Sequence, residues 1–284
     1  MKKRFLPFLA IAACLSSAVA QSPFPLPVPT RPTSFPLPIP TRPANTGYAI
    51  ALGSTTALTA REQGTLCLIS GEVVLNSAGQ AFSVSGGQTI ALLMPTDLVR
   101  ISYGNSSLAG LRANGEVVVA GSEYLVNSDG NSSYVDPSGL VPANAKESVV
   151  DVAHGGNYPG GKWLALTRSG EVISWEIPDR YEYINNFNQP IPHYPIPADA
   201  KSGIVAISMA GEHCLALKSS GQVIAWGRVA IASIPGMFGQ NSLEFADANS
   251  ILPQEVGSDV VAIAAGPHNG IAIKQDGSLV QWGK

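Results

Sequence analysis

Charged side chains are scarce in this sequence. Only 13% of its 284 residues are Asp, Glu, Lys or Arg, and aromatic residues account for 7%. Helical bundles and coiled coils expose long charged faces, so this composition disfavours both classes. Glycine and proline are abundant instead, at 29 and 22 residues, and both interrupt helices. Since 45% of residues are hydrophobic, disorder over the whole chain is excluded and short strands joined by frequent turns are expected.

Basic residues are also few. Three of the 17 Lys and Arg residues stand at positions 2–4, in a segment that resembles a removable leader. Without them, 14 basic residues face 20 acidic ones, a net charge near −6. Nucleic-acid binding needs a basic face that matches the phosphates. We therefore expect no nucleic-acid partner.

The amino-terminal segment has the three parts of a secretory signal. Basic residues 2–4 precede the apolar run FLPFLAIAACL, and Ala18-Val19-Ala20 supplies the small residues that signal peptidase accepts. The sequence thus predicts a signal peptide over residues 1–20, cleaved before Gln21. The apolar run is interrupted by Pro7 and is too short to span a bilayer, which takes about 20 residues. No other segment is long enough, so no integral membrane span is expected after leader cleavage.

Three cysteines are present. Ile11-Ala12-Ala13-Cys14 is similar to a bacterial lipobox, which leaves open the alternative of a lipoprotein anchored through Cys14. The predicted location is otherwise the periplasm or the cell exterior. Cys67 and Cys214 lie in apolar surroundings at non-equivalent repeat positions, so we expect small buried hydrophobic residues and no disulfide framework.

A proline-rich segment follows the leader. Residues 22–32 read SPFPLPVPTRP and residues 33–43 read TSFPLPIPTRP, two copies of one motif. Proline at nearly every second position forbids helices and sheet ladders and favours polyproline II. We predict a semi-rigid spacer over residues 21–43, roughly 70 Å long at about 3.1 Å per residue. It serves either as a plain linker or as a stalk or docking peptide.

Residues 44–284 contain a longer repeat. VVAIAAGPHNGIAIKQDGSLVQWG, from residue 260, matches IVAISMAGEHCLALKSSGQVIAWG, from residue 204, and VVDVAHGG begins a third copy at residue 149. Weaker copies begin at Val99 and Ala49. The first landmark glycine recurs at intervals of 51, 51, 56 and 55 residues, at Gly53, Gly104, Gly155, Gly211 and Gly266. The second landmark glycines are Gly64, Gly115, Gly170, Gly221 and Gly277.

Each unit consists of short apolar runs separated by turns. Runs rich in Val and Ile and bounded by Gly predict strands, and Asn114-Gly115 and Asp276-Gly277 suit tight hairpins. Three or four antiparallel strands cannot bury both faces of their sheet alone. Neighbouring units must cover these faces, which predicts a β-propeller or a β-solenoid.

The pattern VVAIAAG, then a cluster around His or Asn, LAL, a Gly turn and V-x-x-WG resembles the regulator of chromosome condensation repeat family. The likeness covers about residues 43–284 and includes the family's tryptophan at Trp175, Trp226 and Trp282. It implies an all-β fold, a β-propeller of repeated antiparallel blades. Family propellers commonly have seven blades, whereas about five units are recognisable here, so an incomplete or open propeller is an expectation too.

Candidate chemical groups are sparse. His154, His213 and His268 lie near first landmark glycines at differing offsets, which favours local hydrogen bonds at blade edges over a shared metal site. Asn269, rather than His268, occupies the family's usual histidine position. No GxSxG, HExxH or phosphate loop occurs. We therefore predict no catalytic, cofactor or metal residues and a protein that is not an enzyme.

The 28-residue connection between Trp175 and Ile204 departs most from the repeat. Tyrosine and asparagine dominate it, as in adaptable contact surfaces. We expect it to bind a partner, or alternatively to form an outer strand and loop packed on its own blade. The predicted partner-binding residues are Tyr181, Tyr183, Phe187, His193 and Tyr194.

Together these features predict a non-enzymatic exported β-propeller that acts as a binding or protein-interaction module at the cell envelope or outside the cell. Its partner is an unidentified protein or glycan. The alternative is an exported enzyme inhibitor, or an enzyme, on a propeller scaffold. Guanine-nucleotide exchange on a small GTPase, the activity of the best-known family member, is disfavoured by the leader and the acidic balance.

Overall fold

A computed structural model describes most of the repeat region and part of the proline-rich segment. Regular structure in this part of the chain consists of 22 β-strands and short 3₁₀ turns, with no α-helix. No helix within it is long and apolar enough to cross a membrane. The described residues are 30–39, 66–70, 73–76, 78–85, 88–104, 107–155, 161–178, 181–184, 187–190, 193–235, 241–266 and 268–283. The predicted leader and the first landmark glycines Gly53 and Gly64 lie outside them.

The strands form five antiparallel sheets, here called blades 1 to 5, and three two-stranded hairpins, here called hairpins 1 to 3. Blade 1 contains β1 (Leu66–Ser70), β2 (Val73–Asn76), β3 (Ala81–Ser85) and β4 (Gln88–Ala91); blade 2 contains β5 (Leu98–Gly104), β6 (Ser107–Arg112) and β7 (Val117–Gly121). Hairpin 1 follows as β8 (Glu123–Val126) and β9 (Ser132–Val135).

Blade 3 contains β10 (Val149–Gly155), β11 (Lys162–Thr167) and β12 (Val172–Glu176), followed by hairpin 2 with β13 (Tyr181–Ile184) and β14 (Phe187–Pro190). Blade 4 contains β15 (Ile204–Ala210), β16 (His213–Lys218) and β17 (Val223–Trp226), followed by hairpin 3 with β18 (Arg228–Pro235) and β19 (Asn241–Asp247). Blade 5 contains β20 (Val260–Ala265), β21 (Asn269–Lys274) and β22 (Leu279–Gly283). The nine strands predicted for blades 3 to 5 are confirmed to within two residues at each end.

Consecutive blades lie side by side through their first strands. β1 neighbours β5, β5 neighbours β10, β10 neighbours β15, and β15 neighbours β20. Each of these first strands carries a β-bulge near its start, as between Val149 and Asp151, and bulges increase strand twist. This arrangement of twisted, stacked blades is that of a β-propeller, and it agrees with the predicted all-β class.

The second landmark glycines form the turns between second and third strands. Gly115, Gly170 and Gly221 have φ between 81° and 92°, a region that glycine enters without steric cost. The carbonyl of each accepts a 3.1 Å hydrogen bond from the first residue of the next blade. Each turn therefore ties its blade to the next one along the chain.

Blade 1 uses Gly79 for the same purpose. Gly79 has φ 82°, and its carbonyl accepts a 3.3 Å bond from Leu98 N at the start of blade 2. The sequence comparison missed this blade, because it begins 32 residues before blade 2, whereas later blades begin 51, 55 and 56 residues apart. The difference arises because no hairpin is inserted between blades 1 and 2.

The first landmark glycines leave room for a side chain from the following blade. The His154 ring contacts Gly104, and the Met209 side chain contacts Gly155. A Cβ at either glycine would overlap this neighbour, so close approach of successive blades explains why glycine recurs here.

Lead-in segments recur as well. Pro142, Pro197 and Pro253 each precede a 3₁₀ turn and stand seven residues before the first residue of a blade. The residue just before blades 3, 4 and 5 has positive φ, and these residues are Ser148 at 60°, Gly203 at 73° and Asp259 at 61°. The local backbone is thus the same whether glycine or a polar residue is present.

The core lies between the blades. Trp163, Leu164 and Leu215 have no exposed surface, and Trp226 and Trp282 are buried in the same layer as the strand ends they terminate. One continuous cluster joins residues of blades 3, 4 and 5. Burial between sheets accounts for stability here, since no single blade covers both of its faces.

Candidate binding surface

The three hairpins occupy the same place in successive units, directly after the third strand of blades 2, 3 and 4. Their sequences differ completely, as EYLV and SSYV, YEYI and FNQP, and RVAIASIP and NSLEFAD. β8 and β13 lie beside each other. Hairpins 1 and 2 therefore bring two segments of unrelated sequence to one edge of an otherwise repetitive frame.

Hairpin 1 presents an aromatic pair. Tyr124 is directly opposite Tyr134 in the strand register, and their rings meet edge to face with centroids 5.4 Å apart. Tyr134 is 71% exposed. These two residues were not among the predicted site residues, although the surrounding segment shares the Tyr and Asn composition that marked the later connection.

The base of hairpin 1 is fixed by buried polar groups. Ser107 Oγ donates to Glu123 Oε1 at 2.5 Å and lies 3.2 Å from His154 Nε2. The same His154 nitrogen is 3.3 Å from Glu123 Oε1, and all three residues are buried. The hairpin thus starts from a hydrogen-bonded anchor that joins blades 2 and 3.

Hairpin 2 contains three of the predicted site residues. The register pairs Tyr181 with Pro190, Tyr183 with Asn188 and Phe187 with Ile184. Because positions alternate between faces, Tyr181 and Tyr183 belong to one face of the ribbon and Phe187 to the other. The expected outer strand is thus a hairpin whose strands pair with each other.

The other two predicted residues lie closer to blade 3. The exposed His193 ring is hydrogen-bonded through Nδ1 to Glu176 Oε1. Tyr194 is half-buried and packs against the core. Its carbonyl accepts a 3.1 Å bond from Lys162 Nζ, which also lies 5.9 Å from the Tyr194 ring centroid. The five predicted residues therefore fall into a ribbon group and a group at the foot of the blade.

The remaining histidines take local hydrogen-bonding positions, as expected for His154 and His213. His213 Nδ1 is 3.3 Å from the Gly266 carbonyl of blade 5, and burial lowers its pKa. His213 and Asn269 both begin the second strand of their blades, which agrees with the equivalence inferred from the sequence. His268 is exposed.

Cys214 is fully buried and free. Burial raises the pKa of its thiol to about 12, so the thiol stays protonated and behaves as a small hydrophobic residue. Cys14 and the Cys67 side chain lie outside the described part of the structure. In that part, no three His, Cys, Asp or Glu side chains are grouped as a metal site would require.

Comparison with known proteins supports the family likeness. No family model matches the chain. The RCC1 domain-containing mitochondrial protein RUG3 of Arabidopsis thaliana is 30% identical over 154 residues, which are 50% of this chain and 31% of the relative. The ultraviolet-B receptor UVR8 of the same plant is 32% identical over 127 residues, 42% of this chain and 27% of the relative. The repeat domain is RCC1-like.

The matches to these two relatives span less than a third of each relative's length. A solved structure of Prp20p from Saccharomyces cerevisiae, described with its binding to Gsp1p and histones, superposes with a TM-score of 0.46. It is 14% identical and covers 80% of this chain and 59% of that chain. At a coarse level, the RCC1-like propeller is a protein-interaction module.

One titrating group of the RCC1-like domain predicts a pH effect. Burial raises the pKa of Asp151, just after the β10 bulge, to about 6, while the Arg100 charge and a 3.0 Å bond from Val152 N oppose the rise. The folded state therefore prefers the protonated acid, and stability falls as the pH rises from about 4 through about 6. Asp151→Asn keeps an acceptor for Val152 and removes this loss.

We expect Asp151→Asn to match the wild type at pH 4 and to be more stable at pH 8. Two pH units correspond to about 3 kcal/mol, and partial exposure of Asp151 reduces the gain to about 1–2 kcal/mol. Thermal melting from pH 4 to 8 measures it, with Asp129→Asn on the exposed turn of hairpin 1 as the control. Parallel melting curves for Asp151→Asn and the wild type would contradict the prediction.

Proposed function

We propose that this chain is an exported, non-enzymatic binding module whose protein partner docks on hairpins 1 and 2. The blades serve as a rigid frame, and the hairpins supply the contacts that distinguish one unit from another. Export would depend on the predicted leader over residues 1–20.

The frame uses its polar groups internally. Ser102 Oγ in blade 2 accepts a 2.8 Å bond from His154 N in blade 3. At the equivalent position of blade 4, Ser208 Oγ accepts a 2.8 Å bond from Ala265 N in blade 5. Hydroxyls at recurring positions are thus engaged in joining blades, which supports a structural role for what the units share.

The observation that carries the proposal is the exposed aromatic pair on hairpin 1. Tyr134 at 71% exposure, braced by Tyr124, is the type of rigid amphipathic side chain that anchors protein interfaces. The neighbouring β13 adds Tyr181 and Tyr183 to the same edge of the frame. An aromatic group that stands out from a ribbon suits a partner with its own recess, which favours a protein over a glycan held in a cleft.

Affinity capture from the envelope and secretome of the source organism tests this function. The mature chain is the bait, and a Tyr124→Ser/Tyr134→Ser chain is the matched bait. We expect a protein that the mature chain retains and the hairpin variant loses. Leu279→Ser, at an exposed position of blade 5, controls for loss of surface hydrophobicity. Retention of a glycan alone, or equal retention by all baits, would refute docking of a protein on the hairpins.

The amino terminus of the mature protein tests export. Mass spectrometry should find Gln21 as the first residue, because the basic, apolar and small-residue regions precede it in the required order. A lipidated Cys14 would replace free secretion by membrane anchoring. An unprocessed chain in the cytoplasm would contradict both forms of export.

A further inference from the structure

Part of the proline-rich segment lies against the propeller. Leu37 is only 2% exposed and joins the core cluster of blades 3 to 5. Its backbone makes two hydrogen bonds with one residue of the blade 3 turn. Leu37 N donates to the Arg168 carbonyl at 2.7 Å, and Arg168 Nε donates to the Leu37 carbonyl at 3.1 Å. An aliphatic side chain in a hydrophobic recess with paired backbone bonds is a mode of peptide recognition.

Two further side chains of the segment contact second landmark glycines. The Phe35 ring lies against Gly170, and the Arg31 guanidinium lies against Gly221. Arg31 also donates to the Val260 carbonyl at 2.5 Å. A Cβ at either glycine would collide with the side chain that contacts it. The absence of a side chain at these two turns therefore creates two seats, one at the junction of blades 3 and 4 and one at the junction of blades 4 and 5.

The contacting residues follow a fixed pattern. Arg31, Phe35 and Leu37 make the specific contacts, whereas Ile39 just beyond them is 53% exposed. Prolines between and around these residues restrict the free peptide to extended conformations, which lowers the entropy lost on binding. The segment therefore has anchors, spacing and rigidity suited to a ligand, beyond what a passive linker requires.

We propose that the turns at Gly170 and Gly221 form a binding site for this proline-rich sequence, and that the chain fills the site with its own residues 31–37. Recognition depends on the anchors and not on the covalent connection. A separate peptide with the same sequence binds the same seats once the chain's own segment is released.

A chain that can be cut between the segment and the propeller tests this proposal without altering any docked residue. A specific protease sequence replaces residues 40–43, and the chain is cleaved after folding. We expect the amino-terminal piece to stay with the propeller during gel filtration. A fluorescent peptide of residues 29–39, added in excess, should then exchange into the site, as measured by anisotropy.

Matched peptides define the anchors. A Leu37→Asp peptide should bind at least about tenfold more weakly, because a carboxylate would replace a buried aliphatic group. An Arg31→Ala peptide should bind about tenfold more weakly, since it lacks a charged donor. The Ile39→Asp peptide, altered at an exposed position, should bind like the original.

Two results would overturn the proposal. One is that the cut piece dissociates and no peptide rebinds, while circular dichroism shows an intact propeller. The other is that the Leu37→Asp peptide competes as well as the original, which would mean that proline content alone drives the association. If cutting unfolds the propeller, anisotropy of the same peptides on uncut Leu37→Ala chains decides between these outcomes, with no peptide binding again contradicting the proposal.

Discussion

Gly227→Ala is expected to destabilise the fold by about 3 kcal/mol or more, whereas Gly203→Ala should cost only about 1 kcal/mol. Both glycines have positive φ, 91° and 73°, so both alanines carry the same type of backbone strain. At Gly227 the new Cβ would also collide with the Glu212 carbonyl, a backbone atom at the start of blade 4. No atom lies within 4 Å of the corresponding position at Gly203.

The pair is informative because the strain at Gly203 is independently known to be tolerated. Ser148 and Asp259, which precede blades 3 and 5, have the same left-handed backbone with a side chain present. Denaturant unfolding of the two variants measures the difference in their free energies of unfolding. Equal losses for Gly227→Ala and Gly203→Ala would show that backbone strain alone acts and that the close approach at Glu212 is absent.

Trp163→Ala is expected to cost about 3–5 kcal/mol. Trp163 has no exposed surface, and its ring stacks on Trp175 at 6.0 Å and lies 5.0 Å from the His154 ring. Its removal leaves a cavity between blades 2 and 3 that the rigid strands cannot close.

The matched control for Trp163→Ala is Leu279→Ala, at a position 64% exposed on β22. Surface replacements of this kind change stability by about 0.5 kcal/mol at most. Thermal or denaturant unfolding of both variants gives the comparison. A loss below about 1 kcal/mol for Trp163→Ala would contradict the packing of blades 2 and 3 described above.

Much of the fold follows from local pattern. Alternating apolar runs and turn glycines predicted the strands of blades 3 to 5, because hydrophobic periodicity and positive φ are local requirements. Blade 1 was missed because its turn glycine, Gly79, comes at a shortened interval. The docking of Leu37 could not be predicted either, since its burial depends on a recess formed by residues more than 100 positions away.

The candidate surface was predictable only in part. The connection after Trp175 was recognised by its length and composition, and it does form a separate ribbon. The aromatic pair of Tyr124 and Tyr134 was missed because each tyrosine is unremarkable in sequence. Only the strand register of hairpin 1 brings the two rings together and leaves one of them exposed.

The affinity of hairpin variants for the captured partner tests the division between frame and hairpins most directly. The chain with Tyr124, Tyr134, Tyr181 and Tyr183 changed to Ser should bind at least about tenfold more weakly, because anchor aromatics contribute on the order of 1–3 kcal/mol each. Its melting temperature should stay close to that of the mature chain, and Leu279→Ser should bind unchanged. Full affinity in the fourfold variant, with its fold intact, would contradict the assignment of binding to the hairpins.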